Sequence, residues 1–332
     1  MRFAMTCAAG ALLLLAAACS PAQKKEAASG PVALKLATDW RAQAEQGGYY
    51  QAVAAGEYAK RGITMTIVPG GPGVNVPQLV ASQAVDMGVG SNSFIVLDLV
   101  KNKIPARAVA AFMQKDPQVL IAHPDAGITT LADVKGHPVL LGDASITAFW
   151  PWLKAKYKYS DNQIRKYNFN NAPFLADKRV VQQGYVTSEP FTIEKEGKLK
   201  PLVFLLADNG YAGYASMLIV SDKLIQERPE IVRAVVEATA AGWREYLYGD
   251  PKAGDALILK DNPEMTQDVL DQAREKMRSY GIVGDASSTP GAMTDERWAD
   301  FYTNAYKQAH PEENLDYRTG YTLEFLPGAA AQ

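Results

Sequence analysis

Cysteine and long apolar runs are scarce in this chain. Its 332 residues contain two cysteines, Cys7 and Cys19, and both lie within the first twenty residues. The rest of the sequence therefore offers no thiol pair for an internal disulfide. Stability must come from a hydrophobic core, for which a chain of this length is sufficient. After residue 20, no apolar run approaches the roughly 20 residues that a membrane-spanning helix requires.

Basic charge and catalytic motifs are lacking as well. The formal net charge is −2, which argues against a basic nucleic-acid-binding surface. The three histidines, His123, His137 and His310, stand in no His-Glu-x-x-His pattern, and no Gly-x-Ser-x-Gly is present. We therefore expect a protein that is not an enzyme, with no catalytic residue, no metal, no cofactor and no nucleic-acid partner.

The first twenty residues have the pattern of an export signal. A single basic residue precedes a short apolar run, and small residues lead up to Cys19. This ending resembles the bacterial lipobox, in which the cysteine becomes the lipid-carrying (palmitoylated) N-terminus. It departs from that pattern at Ala16, where leucine is preferred, and an ordinary cleaved signal is the alternative. We predict a signal peptide over residues 1–18 and a lipid-anchored tether over 19–30, polar and small enough to be flexible.

Beyond the tether, short apolar strands alternate with helical stretches. Strands are predicted at 32–37, 63–68 and 84–90, and helices at 49–61, 76–83 and 93–101. A second set of elements begins near His123, with a helix at 147–157 and a strand at 214–220. Helices at 231–247, 265–280 and 298–309 fill the last third of the chain. Strands separated by helices predict parallel pairing and an α/β fold.

Four segments after the tether stand out by their order and spacing: Asp39-Trp40 with Gly47 to Ala52, Gly56 to Ile63, Val85 to Ser91, and Thr129 to Val139. They resemble a known family of solute-binding proteins of bacterial ABC importers. The family is the group related to thiamine-pyrimidine, riboflavin, taurine, alkanesulfonate and nitrate binding proteins. The order and spacing of the four segments carry the resemblance, which covers nearly all of the chain after the tether.

The resemblance implies a two-lobed clamshell of the periplasmic binding protein type (type II), in which the chain crosses between α/β lobes twice. We expect residues 31–122 and 213–332 to form lobe I and residues 123–212 to form lobe II, with crossings near His123 and between Leu206 and Tyr214. Ligand would bind in the cleft, and closure about a hinge would follow. The implied partners are an ABC permease and its ATPase. We expect a monomer that meets the membrane only through its lipid.

Loops that follow strands are the expected ligand contacts, because ligands of open α/β sheets bind outside the carboxyl ends of strands. Aromatic side chains are frequent in these loops and suit a flat ligand. Polar groups near helix starts would select its edges, although each could equally be a helix cap. The candidates are Trp40, Tyr49, Ser91, Asn92, Ser145, Thr147, Phe149, Trp150, Tyr185, Glu189 and Tyr214.

The side chains predict the class of ligand. Glu189 would accept hydrogen bonds from ring amines or hydroxyls and would repel sulfonate or nitrate. Arg41 and Lys178-Arg179 are the nearest basic residues, and they form no evident cluster. We therefore expect a planar heteroaromatic, riboflavin-like or thiamine-pyrimidine-like. Taurine, an alkanesulfonate, nitrate or another small organic anion is the alternative. An envelope protein of purely structural function, and an enzyme of the eukaryotic thiamine-pyrimidine synthase type, are the other classes considered.

Replacing Cys19 with Ala tests the lipid anchor. We expect Cys19→Ala to leave the protein unprocessed or to release it from membranes, because the acylated sulfur would be missing. Membrane fractionation and mass spectrometry of the N-terminus provide the readout. A Cys19→Ala protein that is cleaved normally and stays in the membrane fraction contradicts the prediction.

Overall fold

The structure is a computed structural model that describes residues 30–327. The predicted signal peptide, Cys19 and the tether up to residue 29 lie outside the described residues. Pro31 onward forms one compact unit. No helix in the described part of the chain is long and apolar enough to cross a membrane.

Ten strands form two five-stranded sheets in the described residues. The first sheet has the order β2-β1-β3-β10-β4 and the second β7-β6-β8-β5-β9. The strands are β1 Val32–Ala37, β2 Ile63–Val68, β3 Met87–Gly90, β4 Ala106–Met113, β5 Gln118–Ala122, β6 Val139–Leu141, β7 Ile164–Lys166, β8 Val181–Tyr185, β9 Leu202–Leu205 and β10 Ala215–Ser221. Each sheet is the centre of one lobe.

The helices pack against these sheets. They are α1 Gly47–Ala54, α2 Val76–Ala81, α3 Ser93–Lys101, α4 Asp143–Thr147, α5 Phe149–Tyr157, α6 Ala172–Ala176, α7 Glu189–Gly197, α8 Asp222–Glu227, α9 Pro229–Tyr248, α10 Lys252–Asp261, α11 Gln267–Ser279, α12 Asp295–Phe301 and α13 Lys307–Ala309. A π-helical turn, Tyr302–Tyr306, joins the last two. Strands β1 and β2 and helix α3 have the predicted bounds. The helix predicted over 49–61 ends at Ala54, because Gly56 adopts a positive φ of 69°.

Pairing in both sheets is mixed, which corrects the expectation of parallel strands. In the first sheet β1, β2 and β3 are parallel, whereas β10 runs antiparallel to β3 and β4. In the second sheet β5 runs antiparallel to β8 and β9. The antiparallel strands β5 and β10 are those that follow the crossings, since each crossing carries the chain from one sheet directly into the other without an intervening α-helix.

The first crossing comes earlier than expected. Strand β5 belongs to the second sheet, so the chain leaves the first sheet between Met113 and Gln118 rather than near His123. The apolar run from 106 to 122 is interrupted by Gln-Lys-Asp-Pro, and Pro117 has no N–H to donate to a sheet. The return crossing lies between β9 and β10, within the predicted stretch from Leu206 to Tyr214.

One arginine ties the two crossings together. The Arg297 guanidinium, on α12, donates to the carbonyl oxygen of Gln114 in the first crossing. It also donates to the carbonyl oxygens of Ala212 and Gly213 in the second, both at 3.2 Å. Its planar group lies over the ring of Tyr214, 4.3 Å from the centroid. Because the donors point in fixed directions, Arg297 holds both crossings in one arrangement.

The glycine pair at the start of α1 allows close helix packing. A Cβ on Gly47 would lie 2.0 Å from Cε1 of Tyr246, and one on Gly48 would lie 2.1 Å from Cγ of Trp243. Both aromatic side chains belong to α9 and are fully buried. These glycines therefore serve the core of the first lobe, where α1 and α9 meet.

Gly48→Ala should destabilise the protein, because the new methyl group has no room beside Trp243. Overpacking of this kind costs about 1–3 kcal/mol. Urea unfolding followed by tryptophan emission gives the free energy of unfolding. Gly71→Ala is the matched control, since its nearest neighbour would be Cγ of Arg41 at 4.0 Å. Equal stability of the two variants would contradict this account of the glycine pair.

Candidate ligand-binding cleft

The two sheets face each other with the ends of their strands. In the first sheet the carboxyl ends of β1, β2, β3 and β4 lie at the same edge as the start of β10. In the second, the carboxyl ends of β6, β7, β8 and β9 lie beside the start of β5, where Gln118 pairs with Tyr185. Both crossings leave from these edges. The cleft between the lobes is therefore lined by the loops that the ligand rule selects.

The lobes touch each other across this cleft. Trp40, after β1, lies against Phe169, after β7, with ring centroids 4.5 Å apart. The hydroxyl of Thr187, beside α7, donates to the Glu45 carboxylate, and Gln272 Nε2 on α11 donates to the Thr187 carbonyl oxygen at 2.5 Å. The structure thus shows the lobes in a closed arrangement.

Four carboxyl groups lie around the Tyr185 phenol. Their charges, those of Asp116, Asp39, Glu45 and Glu189, all raise the pKa of this phenol, which burial raises first. Two of these groups come from the first lobe, one from the second and one from the first crossing. Hydrogen bonds fix them: Gln46 Nε2 donates to Asp39 at 3.2 Å, and the Tyr185 N–H donates to Glu189 at 2.8 Å.

Burial disfavours the ionised form of each of these acids. It raises the pKa of Asp39 to about 6, and those of Asp116 and Glu189 to about 7. The pKa of Glu45 is also raised by burial, and the charge of Glu45 adds to the rise at Asp39 and Glu189. Neighbouring carboxyls in a poorly hydrated space resist simultaneous ionisation. At neutral pH the cleft therefore holds both proton donors and acceptors.

The basic residues nearest in sequence to the candidate site residues pair with other acidic residues. Arg41 forms an ion pair with Glu264 at 2.8 Å on the surface of the first lobe. Lys178 pairs with Asp125, and Arg179 with Asp177. Among the described residues, Arg297 is the one cation whose charge lowers the pKa of any of these four acids, and the acid that it affects is Asp116. The guanidinium itself is occupied by the carbonyls of the crossings.

Three predicted site residues lie at the facing ends of the two sheets: Trp40, Tyr185 and Glu189. Trp40 and Tyr185 are partly exposed; Trp40 belongs to the loop after β1, and Tyr185 is the last residue of β8. Glu189 starts α7, and its carboxylate folds back to the Tyr185 backbone. These three side chains remain our candidates for ligand contact.

Four predicted aromatic contacts lie instead in the hydrophobic cores. Tyr49 is fully buried between Phe112 and Trp243, with its hydroxyl 3.2 Å from Oγ of Ser216. Phe149, Trp150 and Tyr214 are also buried. Their apolar surface is worth more inside a helix–sheet interface than at a wet cleft. A strand-to-helix position alone could not distinguish the two environments.

The four predicted polar selectors lie in different environments. The Asn92 side chain caps α3 by accepting from the Phe94 N–H at 3.0 Å. Ser91 is partly exposed beside it, Ser145 is buried within α4, and Thr147 is exposed with its hydroxyl donating to the Ala144 carbonyl at 3.2 Å. The capping alternative therefore accounts for Asn92.

Several cleft residues were missed by the sequence analysis. Asp39, Glu45 and Asp116 were not candidates, although Asp39 precedes Trp40 in the first family segment. Phe169 was also missed: it is 41% exposed and adopts a positive φ of 57°, which is unusual for a bulky residue. Backbone strain of this kind concentrates at functional sites. An acidic residue next to an aromatic one in a loop after a strand was the available signal.

The three histidines contact residues other than the four acids around Tyr185. His123 Nε2 lies 2.7 Å from the Phe174 carbonyl oxygen, and His137 Nδ1 lies 2.9 Å from that of Arg179. His310 Nδ1 lies 3.6 Å from the Glu313 carboxylate. Each histidine thus has a local partner within its own lobe.

Solved structures with this architecture identify the class of fold. The aliphatic sulphonate binding protein SsuA of Escherichia coli superimposes with a TM-score of 0.63 at 13% identity, covering 88% of this chain and 92% of that one. The desulfurization enzyme DSZB, in complex with biphenyl-2-sulfinic acid, gives 0.55 at 12% identity, with 88% and 97% covered. The chain has the two-lobed α/β fold of periplasmic binding proteins, a fold that also occurs in an enzyme.

Sequence comparison gives the family. A family model described as NMT1/THI5 like matches residues 43–253, more than half of the chain. The chain belongs to the NMT1/THI5-like family. The riboflavin-binding protein RibY of Chloroflexus aurantiacus is 26% identical over 359 aligned positions, covering 96% of each chain.

Ligand-free protein should become more stable as the pH falls from about 8 to about 5. Asp39, Asp116 and Glu189 take up protons in the folded state near pH 6–7, whereas in the unfolded chain they stay ionised until about pH 4. The folded state binds the extra protons and gains up to about 1.4 kcal/mol per pH unit for each titrating group. Melting temperature across this range is the measurement.

The gain should end near pH 4, where the unfolded chain is protonated too. Below that, ion-paired carboxylates such as Asp177 and Asp268, whose pKa values are lowered to about 2, lose their contribution. Asp116→Asn and Glu189→Gln should each flatten the rise between pH 8 and 5. A melting temperature that falls steadily over that interval is incompatible with raised pKa values in the cleft.

Proposed function

We propose that this protein is the substrate-binding component of an ABC importer and that its cleft captures a planar heteroaromatic compound of the riboflavin type. The observation that carries this proposal is the set of four carboxyl groups whose charges act on the Tyr185 phenol, of which Glu45 and Asp116 are buried and Asp39 and Glu189 are half-buried. Its preference for hydrogen-bond donors, its aromatic neighbours and the length of the cleft all support such a ligand.

The carboxyl set selects by charge. An alkanesulfonate or nitrate would bring negative charge next to Asp39, Glu45, Asp116 and Glu189, with the nearby guanidinium of Arg297 already bound to backbone carbonyls. Close like charges in a space of low polarity are strongly unfavourable. A neutral ring system with N–H and O–H groups would instead donate to the carboxylates and accept from their protonated forms.

Aromatic side chains offer a surface for a flat ring. Trp40 and Phe169 approach each other from opposite lobes with an interplanar angle of 56°. When the lobes part, a planar ligand would enter between them and stack as the cleft closes. Stacking of a heterocyclic base on an aromatic side chain is worth about 1–3 kcal/mol.

The cleft is long compared with the smaller candidates. Phe169 follows β7, an edge strand of the second sheet, and Asp116 precedes β5, which lies three strands away. With about 4.8 Å between neighbouring strands, the two positions are about 14 Å apart. A fused-ring compound with a side chain would reach from one end to the other. A single pyrimidine ring, taurine or nitrate would contact one end alone.

Similarity to a flavin-binding protein supports the same ligand. RibY is named for riboflavin binding and aligns with nearly the whole of this chain, at 26% identity. The thiamine-pyrimidine class remains the closest alternative within the family. Its single ring would use the carboxyl set but not the full length of the cleft.

The place of action follows from the sequence. We propose export by the segment over residues 1–18 and anchoring by lipid on Cys19, with the folded body from Pro31 onward at the periplasmic face of the envelope. The closed protein would deliver its ligand to a permease and an ATPase as a monomer.

Ligand titration tests the proposal. Riboflavin should bind, quench tryptophan emission and raise the melting temperature, because it binds the folded state alone. Taurine and nitrate should do neither. Trp40→Ala should weaken riboflavin binding at least severalfold, whereas Trp40→Phe, which keeps a flat ring, should retain most of the affinity.

Tyr248→Ala is the control for removal of an aromatic side chain, since Tyr248 is 38% exposed on α9 and its hydroxyl donates to the Gly284 carbonyl outside the cleft. Isothermal titration gives the affinities. Tight binding of taurine or nitrate without a response to riboflavin or the thiamine pyrimidine would overturn the ligand class. Chemical conversion of the bound compound would overturn the assignment as a binding protein.

A further inference from the structure

Unpaired polar atoms are buried where the two crossings meet the second sheet. Within the described residues, Oδ2 of Asp116, Oε1 of Gln118 and the hydroxyl of Tyr211 have no hydrogen-bond partner. The three side chains are almost fully inaccessible, at 0%, 8% and 0% exposure. Buried polar atoms are nearly always paired in folded proteins, so each of these calls for a partner.

Backbone hydrogen bonds connect the segments that carry these three side chains. Oδ1 of Asp116 accepts from the Gln118 N–H at 2.9 Å, and the Tyr211 N–H donates to the Leu206 carbonyl oxygen, whose own N–H bonds to Gln118. The Asp116 charge raises the pKa of Tyr211 as well as that of Tyr185. Asp116 is thus close enough to the phenols of Tyr211, in the second crossing, and of Tyr185, at the end of β8, for its charge to act on both.

The region offers a mixture of hydrogen-bonding groups. Asp116 and Gln118 present free acceptor oxygens, and Tyr211 presents a hydroxyl that donates or accepts. An aliphatic hydroxyl also does both, so a chain of hydroxyls would satisfy all three. The Trp40–Phe169 pair, about 14 Å away along the sheet edge, is the better place for a flat ring.

We propose that Asp116, Gln118 and Tyr211 form a hinge-end polar site that binds the hydroxyl-bearing chain of the ligand while the ring lies toward Trp40 and Phe169. This assignment rests on the proposed function. It makes the hinge end the part of the cleft that distinguishes a ring compound with a polyol chain from the bare ring. It also means that the ligand touches the crossings about which the lobes move.

Two variants with two flavins test this site. Tyr211→Phe removes one hydroxyl, and Asp116→Asn replaces an acceptor oxygen with an amide of the same shape. Each should raise the Kd for riboflavin about three- to tenfold, as expected for one lost hydrogen bond. Binding of lumiflavin, which carries a methyl group in place of the ribityl chain, should be unchanged. Isothermal titration with the full-length wild type and both variants measures the affinity of each for the two flavins.

Stability separates ligand contact from a structural role. Because the Tyr211 hydroxyl bonds to nothing within the described residues, Tyr211→Phe should keep or raise the melting temperature of the ligand-free protein. The control Tyr58→Phe removes a buried hydroxyl that lies 2.8 Å from Oγ1 of Thr239 in the first lobe. It should lower the melting temperature and leave the ratio of the two flavin affinities unchanged.

The possible results are distinguishable. Unchanged riboflavin affinity in both cleft variants, or equal losses for riboflavin and lumiflavin, would overturn the hinge-end site while the proposed function stands. Wild-type protein that binds neither flavin would overturn the proposed function together with the site. A selective loss for riboflavin in both variants supports the site.

Discussion

The cost of burying negative charge governs the arrangement of this cleft. Asp39, Glu45, Asp116 and Glu189 come from both lobes and from a crossing, and closing the lobes removes them from water together. The structure compensates them in part with hydrogen bonds from the side chains of Gln46 and Thr187 and from the backbone N–H groups of Gln118 and Tyr185. The remaining carboxyl oxygens need further hydrogen-bond donors or protons, and a donor-rich ligand would supply them. In the proposed function, ligand capture would therefore offset part of the electrostatic cost of closing the lobes.

The sequence pattern alone predicted the bounds of those strands and helices that depend on neighbouring residues in the chain. The bounds of β1, β2 and α3 follow from alternation and from the Asn92 cap, and the order of elements led to the two-lobed class. Strand β5 was assigned to the wrong lobe because sheet membership depends on partners far away in sequence. The apolar run that contains it looks the same whichever sheet it joins.

The site was less accessible to sequence reasoning for a physical reason. An aromatic residue after a strand has the same local pattern whether its ring faces a ligand or a core, so Trp40 and Tyr49 could not be separated. The structure separates them through Ser216, Phe112 and Trp243, which enclose Tyr49 from strands and helices remote in the chain. The acids were overlooked because exposed carboxylates are common, and only burial makes them unusual.

Arg297 constrains how the two lobes would move relative to each other. Its guanidinium is bonded to carbonyls of both crossings, so neither segment is free to flex without displacing a group that the other also holds. Two independent linkers would let the lobes slide, twist and splay. Two linkers held at a common point would restrict the lobes to rotation about a single axis. The side chain that would fix this axis belongs to α12, near the end of the chain. The direction in which the lobes open would therefore depend on a residue far in sequence from the strands of the two sheets.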